Sequence, residues 1–481
     1  MTKHKHEIGG GLQPAPSTQT PYSTHGLGGR LRLKASPPSP AQTGFRPLYL
    51  RHAERNEVES QHQARSCGCA QDDGGWAAQD GGSAFARASL DQCIKCTICE
   101  ASCPVAAVTP QFPGPKYIGP QAERFRAGGS VDHSLDYCSS CGTCTLVCPQ
   151  GVKIAELNSQ ARAVMKADHM PLRDKLISQT TLMGQVMTPV APIANAALAF
   201  QPARIVMEKT VGVHRHAPMP RANPQTFESW FRRHKRVYPV TQRKPVVFFH
   251  GCAGEYFEVA TSKMSVQVLE YLGYEVIVPH HGCCGLAQQS NGLFHEASAA
   301  VLKLCDQLSS AGKGLTIISS SGSCTGMLKH EAQEIMGVDD ERLRDVAVRI
   351  RDIMEFLREL HEAGELPLGF KPINMTVAYH APCQLKSQGM GYPAMDVLAL
   401  IPGLKVVESG FACCGIAGTY GLKAEKYDIA QAVGRPLFDM VKATNPKLAL
   451  CDTETCRWQI SQSSGVPTRH PIAMVHRAYG L

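Results

Sequence analysis

The sequence predicts a helical N-terminal domain followed by two consecutive α/β repeats, an α plus α/β architecture. Three observations carry this expectation. Eight cysteines between residues 93 and 148 fall in two runs of identical spacing. Further on, a Cys-Cys-Gly triplet with flanking cysteines occurs twice. Around each triplet, short β-like apolar runs alternate with helical stretches, the pattern of parallel α/β units.

The first run is Cys93, Cys96, Cys99, Cys103 and Pro104, which reads C-x₂-C-x₂-C-x₃-C-P. Cys138, Cys141, Cys144, Cys148 and Pro149 repeat it with every spacing intact. This is the two-cluster ferredoxin spacing, in which the fourth cysteine serves the other cluster. One [4Fe–4S] cluster is therefore expected on Cys93, Cys96, Cys99 and Cys148. The second is expected on Cys138, Cys141, Cys144 and Cys103. Zinc sites more often show paired C-x₂-C units. A chain built around two such clusters moves electrons. After the second run, Lys153 to Ala167 reads as a helix with Ile154, Leu157, Ala161 and Met165 on one face. Helices flanking both runs point to an α-helical ferredoxin domain over residues 89–167 rather than the small β-rich type.

The chain has 481 residues, 43% of them hydrophobic, enough for about three packed domains. Its 20 cysteines sit mostly in ligand spacings rather than in a short secreted scaffold, which points to a reducing cytoplasm. The N-terminus shows no apolar stretch of the secretory kind. A formal charge of +8 is modest for this length, and no nucleic-acid recognition module accompanies it. Residues 1–88 are rich in Gly, Pro, Ser, Gln and His, a composition expected to stay disordered. The His4–His6 and Cys67–Cys69 pairs within them read as incidental.

Residues 168–243 form a linker of different character. Leu182 to Phe200 is apolar but contains Pro189 and Pro192, which count against a membrane-spanning helix. Trp230, Phe231, Arg232, Arg233, His234, Lys235 and Arg236 follow. Aromatic beside basic residues suit an anionic lipid surface, or else a solvated basic linker. Contact with a membrane surface or a partner is the expectation.

The repeats cover residues 244–372 and 373–481. Cys252, Cys283, Cys284 and Cys324 of the first correspond to Cys383, Cys413, Cys414 and Cys456 of the second, at offsets of 131, 130 and 132 residues. Expected strands are 246–249, 276–278 and 315–318, then 376–379, 405–407 and 447–450. The cysteines fall at strand ends and helix starts. Parallel sheets bind ligands there, and free helix N–H groups favour thiolates. Gly285 and Gly415 would let the backbone turn beside the paired sulfurs. His250 and His380, each just before the first cysteine, read as hydrogen-bonding structural groups, with a ligand or proton-carrying role as the alternative.

Paired Cys-Cys-Gly modules behind a two-cluster ferredoxin resemble the heterodisulfide-reductase-like iron–sulfur electron-transfer subunits. Within them the chain resembles the branch serving anaerobic glycerol-3-phosphate dehydrogenase as its C subunit. The strings that carry this are Cys93-Ile94-Lys95-Cys96-Thr97, Phe112-Pro113-Gly114-Pro115-Lys116 and Leu182-Met183-Gly184. To them are added Cys413 through Gly421 and Glu454 through Ile460. The resemblance spans about residue 90 to the C-terminus. It implies an electron-transfer subunit that is not catalytic alone. It would take electrons from a flavoprotein dimer of A and B subunits oxidising glycerol 3-phosphate, and pass them to membrane quinone. Its place would be peripheral, on the cytoplasmic face of the inner membrane. No Gly-x-Gly-x-x-Gly loop stands at a strand–helix junction, so the flavin is expected on the partner.

The chain departs from the family where the fuller Cys-Cys-Gly pattern ends in C-x-x-C. Ser321 and Thr453 occupy those positions, and Cys451 lies two residues before Thr453 as a doubtful substitute. A further iron–sulfur cluster, zinc or an empty pocket therefore all stay open for the repeats. The alternative functions are an iron–sulfur subunit of glycolate or lactate oxidation and a thiol/disulfide reductase.

Overall fold

β1 (Val246–Phe249) is Val-Val-Phe-Phe, buried along its whole length. A strand apolar on both sides suits a parallel sheet covered by helices on both faces. In the computed structural model β1 belongs to a four-stranded parallel sheet ordered β2-β1-β3-β4. Its other strands are β2 (Val276–Ile277), β3 (Ile317–Ser319) and β4 (Ile350–Asp352). The second repeat builds the same sheet, β6-β5-β7-β8. It uses β5 (Met375–His380), β6 (Leu404–Glu408), β7 (Ala449–Cys451) and β8 (Thr468–Arg469). The fourth strand of each sheet adds to the expected three. Ile350-Arg351-Asp352 and Thr468-Arg469 are too short and too polar to carry a strand signal.

The structure describes residues 86, 88–121, 132–167, 169–241 and 245–481. His4, His6, Cys67, Cys69 and nearly all of the expected 1–88 extension lie outside the described residues.

In both sheets the chain leaves the central strand to one side first and returns on the other. The crevice this creates lies at the carboxyl ends of β1 and β3, and of β5 and β7. Cys252 and Cys324 leave the first crevice at the starts of helices Gly251–Tyr256 and Gly322–Gly326. Cys383 and Cys456 leave the second at the starts of Cys383–Lys386 and Glu454–Ser464. The repeats are not separate bodies. One apolar core joins Phe248, Ile318 and Ile353 of the first to Val377, Tyr379 and Leu450 of the second. The C-terminal helix Ile472–Tyr479 crosses back, packing Tyr479 on Tyr271 with ring centroids 4.4 Å apart.

Among the described residues of 86–167 there is no strand, only short helical turns and the helix Ile154–Ala167. Ile154, Leu157 and Ala161 of that helix are buried, as the periodicity predicts. Part of its polar face is buried too. Arg162 donates to Cys138 O at 2.9 Å. Lys166 pairs with Asp136 at 2.9 Å and with Asp174 at 2.7 Å. Asp174, fully buried, also takes Lys423 at 2.8 Å. Lys426 pairs with Asp136 in turn. Lysines and aspartates of the ferredoxin domain, the linker and the second repeat are thereby locked together.

The linker differs from its expectation in two ways. Thr180–Met187, Thr188–Val190 and Ala191–Ala199 run on as an almost unbroken helical path, because Pro189 and Pro192 sit in the first turns of their helices. There a missing N–H costs nothing. By length and composition Thr180–Ala199 is apolar enough to cross a membrane. However, Gly184 lies so close to Tyr256 that an added Cβ would stand 2.3 Å from its ring. Asn195 is likewise tied to Ala222 by two 2.9 Å hydrogen bonds. One face is therefore packed on the protein while Leu182, Val186 and Ile193 stay exposed at 55, 63 and 72%. The second difference concerns Trp230 and Phe231. They are not free to enter lipid, because both pack against the shared core beside Phe227. Arg232, Arg233 and Lys235 lie just beyond them, and the Arg232 side chain is 70% exposed.

Candidate cysteine-rich redox site

The two ferredoxin runs share an unusual backbone. Lys95 and Thr97 adopt φ of 60° and 65°, and Ser140 and Gly142, at the corresponding places, adopt 51° and 76°. Side chains rarely hold this left-handed conformation, and such strain clusters at ligand-binding loops. It curls each C-x₂-C-x₂-C segment around its own sulfurs. Cys93, Cys96, Cys99 and Cys148 line one cavity of about 20 Å³. Cys103, Cys138, Cys141 and Cys144 form the other group. Burial pushes the Cys99 thiol up to about 11 and Cys103 to about 12. Sulfurs so crowded and desolvated ionise only beside a cation, which is the chemistry an iron–sulfur cluster provides. The donor set fits two such clusters.

The two groups differ in access. Cys96 is exposed and its neighbours Ile94 and Ile98 project into solvent. Cys103, Cys138 and Cys144 are buried. Cys141, half-buried, faces the second repeat. Its thiol is pushed up first by burial and then by the Cys383 sulfur, and Cys413 feels Cys141 in turn. Ser387, just after Cys383–Lys386, would stand 3.4 Å from a Cβ on Gly142.

In the first repeat, Cys283 lies 3.7 Å from Cys252 and Cys284 lies 3.2 Å from Cys324. In the second, Cys414 lies 2.9 Å from Cys456, Cys413 touches Cys383, and Cys451 touches Cys456. Cys451 therefore gives the second set a fifth sulfur, whereas the first has four. One sulfur of each set is favoured as thiolate. Cys283 is drawn down by contacts with Cys252 and Cys284. Burial alone would push Cys414 up, but Cys413 and Cys456 outweigh it and bring it to about 6. Gly285 and Gly415, at φ of 78° and 87°, make the turn after each pair. A Cβ at Gly415 would stand 1.9 Å from Ala430 O, so only glycine fits.

A cavity of about 170 Å³ opens between the repeats, lined by Cys252, Cys283, Cys284, Cys324, Cys383, Cys414 and Cys456 and by Cys141 of the ferredoxin domain. Ser321 and Thr453 face across to the opposite repeat. Ser321 donates to Glu454 at 3.2 Å, and Thr453 Oγ1 lies 3.3 Å from Ser323 Oγ. Two residues of this site are marked by no ligand spacing. Thr180, whose hydroxyl is 3.2 Å from Cys252 Sγ, is one ordinary residue of the linker with no spacing to mark it. The buried Glu454 heads one of the strings that carry the resemblance, but nothing in its spacing marks it as facing Ser321. His380 is buried; burial pushes it down to about 3, and its Nδ1 is 2.9 Å from Ser409 Oγ.

These features define an iron–sulfur protein with cysteine-rich redox modules. Residues 89–152 match the 4Fe-4S dicluster domain family, and residues 246–329 and 377–461 each match the Cysteine-rich domain family. The C subunit of the anaerobic glycerol-3-phosphate dehydrogenase of Escherichia coli (strain K12) is 36% identical over 396 residues, covering 81% of this chain and 98% of that protein. The chain belongs to this family of glycerol-3-phosphate dehydrogenase C subunits. More distant similarity links it to the D subunit of the dihydromethanophenazine:CoB–CoM heterodisulfide reductase of Methanosarcina barkeri (strain Fusaro / DSM 804), at 23% identity, covering 82% of this chain and 94% of the other. The glycolate oxidase iron-sulfur subunit of Escherichia coli (strain K12) is 22% identical, with 81% and 94% covered.

Proposed function

We propose that this chain carries electrons from a flavoprotein oxidising glycerol 3-phosphate to membrane quinone, as a peripheral subunit at the inner face of the membrane. The observation behind this reading is the line of sulfur sites. It begins at solvent-exposed Cys96 and ends where Cys141 meets Cys383 and Cys413. Cys93, Cys96, Cys99 and Cys148 would hold one [4Fe–4S] cluster, and Cys103, Cys138, Cys141 and Cys144 the other. When bound, such clusters supply one-electron carriers. Cys103, Cys138 and Cys144 of the second group are buried, which limits water around them. The five sulfurs of the second repeat suit a further iron–sulfur cluster, and the four of the first suit that or zinc. Domain limits of 89–167, 168–243, 244–372 and 373–481 accompany this reading. Reduction should require the cognate flavoprotein. Cluster EPR signals are expected on adding glycerol 3-phosphate to the complex purified without oxygen. Signals that instead need glycolate or lactate would move the chain to hydroxy-acid oxidation.

Membrane contact is assigned to the exposed apolar face at Leu182, Val186 and Ile193, with Arg232, Arg233 and Lys235 further along the same linker. Packing of the opposite face on the first repeat favours lying on the surface over spanning. Basic groups near an anionic bilayer contribute about 1 kcal/mol each. High salt is therefore expected to weaken sedimentation with anionic vesicles, and Val186→Asp with Ile193→Asp to abolish it. Binding unchanged in the double variant rejects the assignment.

A further inference from the structure

Beside the first repeat's cysteines, three side chains converge at a place the sulfur sites do not use. His250 follows β1, and Glu255 lies on the Gly251–Tyr256 helix. Glu228 comes from the linker helix Phe227–Phe231. One ligand atom of each lies within 4.8 Å of the other two. Glu228 Oε1 is 3.7 Å from His250 Nε2, and Glu255 Oε2 is 3.7 Å from His250 Nδ1.

The His250 side chain is only 1% exposed, and its Nε2 has no hydrogen-bond partner. Nδ1 lies 3.0 Å from Gly251 O. With Nδ1 donating to Gly251 O, the lone pair falls on Nε2, which faces Glu228, the usual arrangement of a metal-binding histidine; Glu255 Oε2 lies on the Nδ1 side and also accepts the Glu228 N–H at 3.0 Å. Phe227 and His281 hold the ring in place, with centroids 5.0 and 4.0 Å away. A plain hydrogen-bonded pair would bring Nε2 to about 2.7–3.2 Å from the carboxylate. Two ligands of a tetrahedral zinc ion stand roughly 3.4 Å apart, closer to the spacing seen.

We propose that Glu228, His250 and Glu255 form a divalent metal site of the zinc type, independent of the cysteine sites. Imidazole with carboxylates suits zinc, and three protein ligands leave a fourth position open. His280, 84% exposed with Nδ1 2.9 Å from Glu228 Oε1, stands beside Glu228 at the surface. The bound ion ties the linker to the end of β1, two residues before Cys252, and so positions that cysteine.

The test is a titration of the full-length, cluster-loaded protein with Co²⁺ alone, after mild chelation. The expected result is about one equivalent bound with weak visible bands and no thiolate-to-cobalt charge transfer, displaced by Zn²⁺. Glu228→Gln and Glu255→Gln should each weaken this binding by about tenfold or more, with iron content unchanged. His250→Asn should do the same. Should it fail to fold, the partly exposed Glu228 supplies the decisive variant, and retained iron reports its fold. Cobalt bound only with thiolate bands, or bound equally by both glutamine variants, overturns the site.

Discussion

Cys141→Ser is expected to remove about four of the roughly eight iron atoms held by the ferredoxin domain. One EPR signal should vanish while the other stays. Cys96→Ser should remove the other set. The effects should differ in their consequences. Cys96 lies at the exposed end of the line of sulfurs, and Cys141 lies against Cys383 at the inner end. On the proposed route, with entry at the exposed end, loss at Cys141 would cut the inward leg after electrons have entered, whereas loss at Cys96 would prevent entry. Iron quantification of both variants checks the assignment, and an unchanged count in both defeats it.

Asp174→Ala should have the largest effect on stability of any single charge change in this network. It strips the shared partner from Lys166 and Lys423, both buried. Removing one member of a buried ion pair leaves an uncompensated charge and costs about 3–5 kcal/mol. The same network sets an acid limit. Burial works against ionisation of Asp174, yet Lys423 and Lys166 overcome it and hold the carboxyl well below its ordinary range. Asp136 is held low in the same way by Lys426 and Lys166 against its burial. A carboxyl depressed on folding contributes fully above its unfolded value of about 4 and loses that contribution as the pH falls through the folded one. Denaturant unfolding of the full chain at neutral and acid pH measures both effects. Equal stability of Asp174→Ala and the unaltered protein at neutral pH would contradict the role given to this network.

The parts of the site that depend on local spacing are legible in the sequence. Cys93, Cys96, Cys99 and Cys103, so closely spaced, must curl around something, and two Cys-Cys-Gly triplets in register imply two like sheets. The parallel strands follow from runs such as Val246 to Phe249, which have no polar face. What stays hidden is made by docking rather than by pattern. Cys141 and Cys383 are far apart in sequence, and their approach depends on Tyr420 donating to Tyr137 O at 3.0 Å and on Lys426 reaching Asp136. The linker misleads for a related reason. Trp230 and Phe231 look like lipid anchors beside basic residues, but Phe227, on the same short helix, draws them into the core. Proline suggests a broken helix, although at a helix's first turn it breaks nothing. Cys451 finds its place only through β7, which brings its sulfur against Cys456.

The central claim is that electrons leave through the second repeat. Stopped-flow on the complex assembled with its flavoprotein and a quinone, following flavin and quinone separately, tests it most directly. With Cys414→Ala, flavin reduction by glycerol 3-phosphate should proceed at the unaltered rate while quinone reduction stops. Cys284→Ala should chiefly lower metal content or stability of the first repeat. Quinone reduced at the unaltered rate by the Cys414→Ala complex would take the second repeat off the electron path.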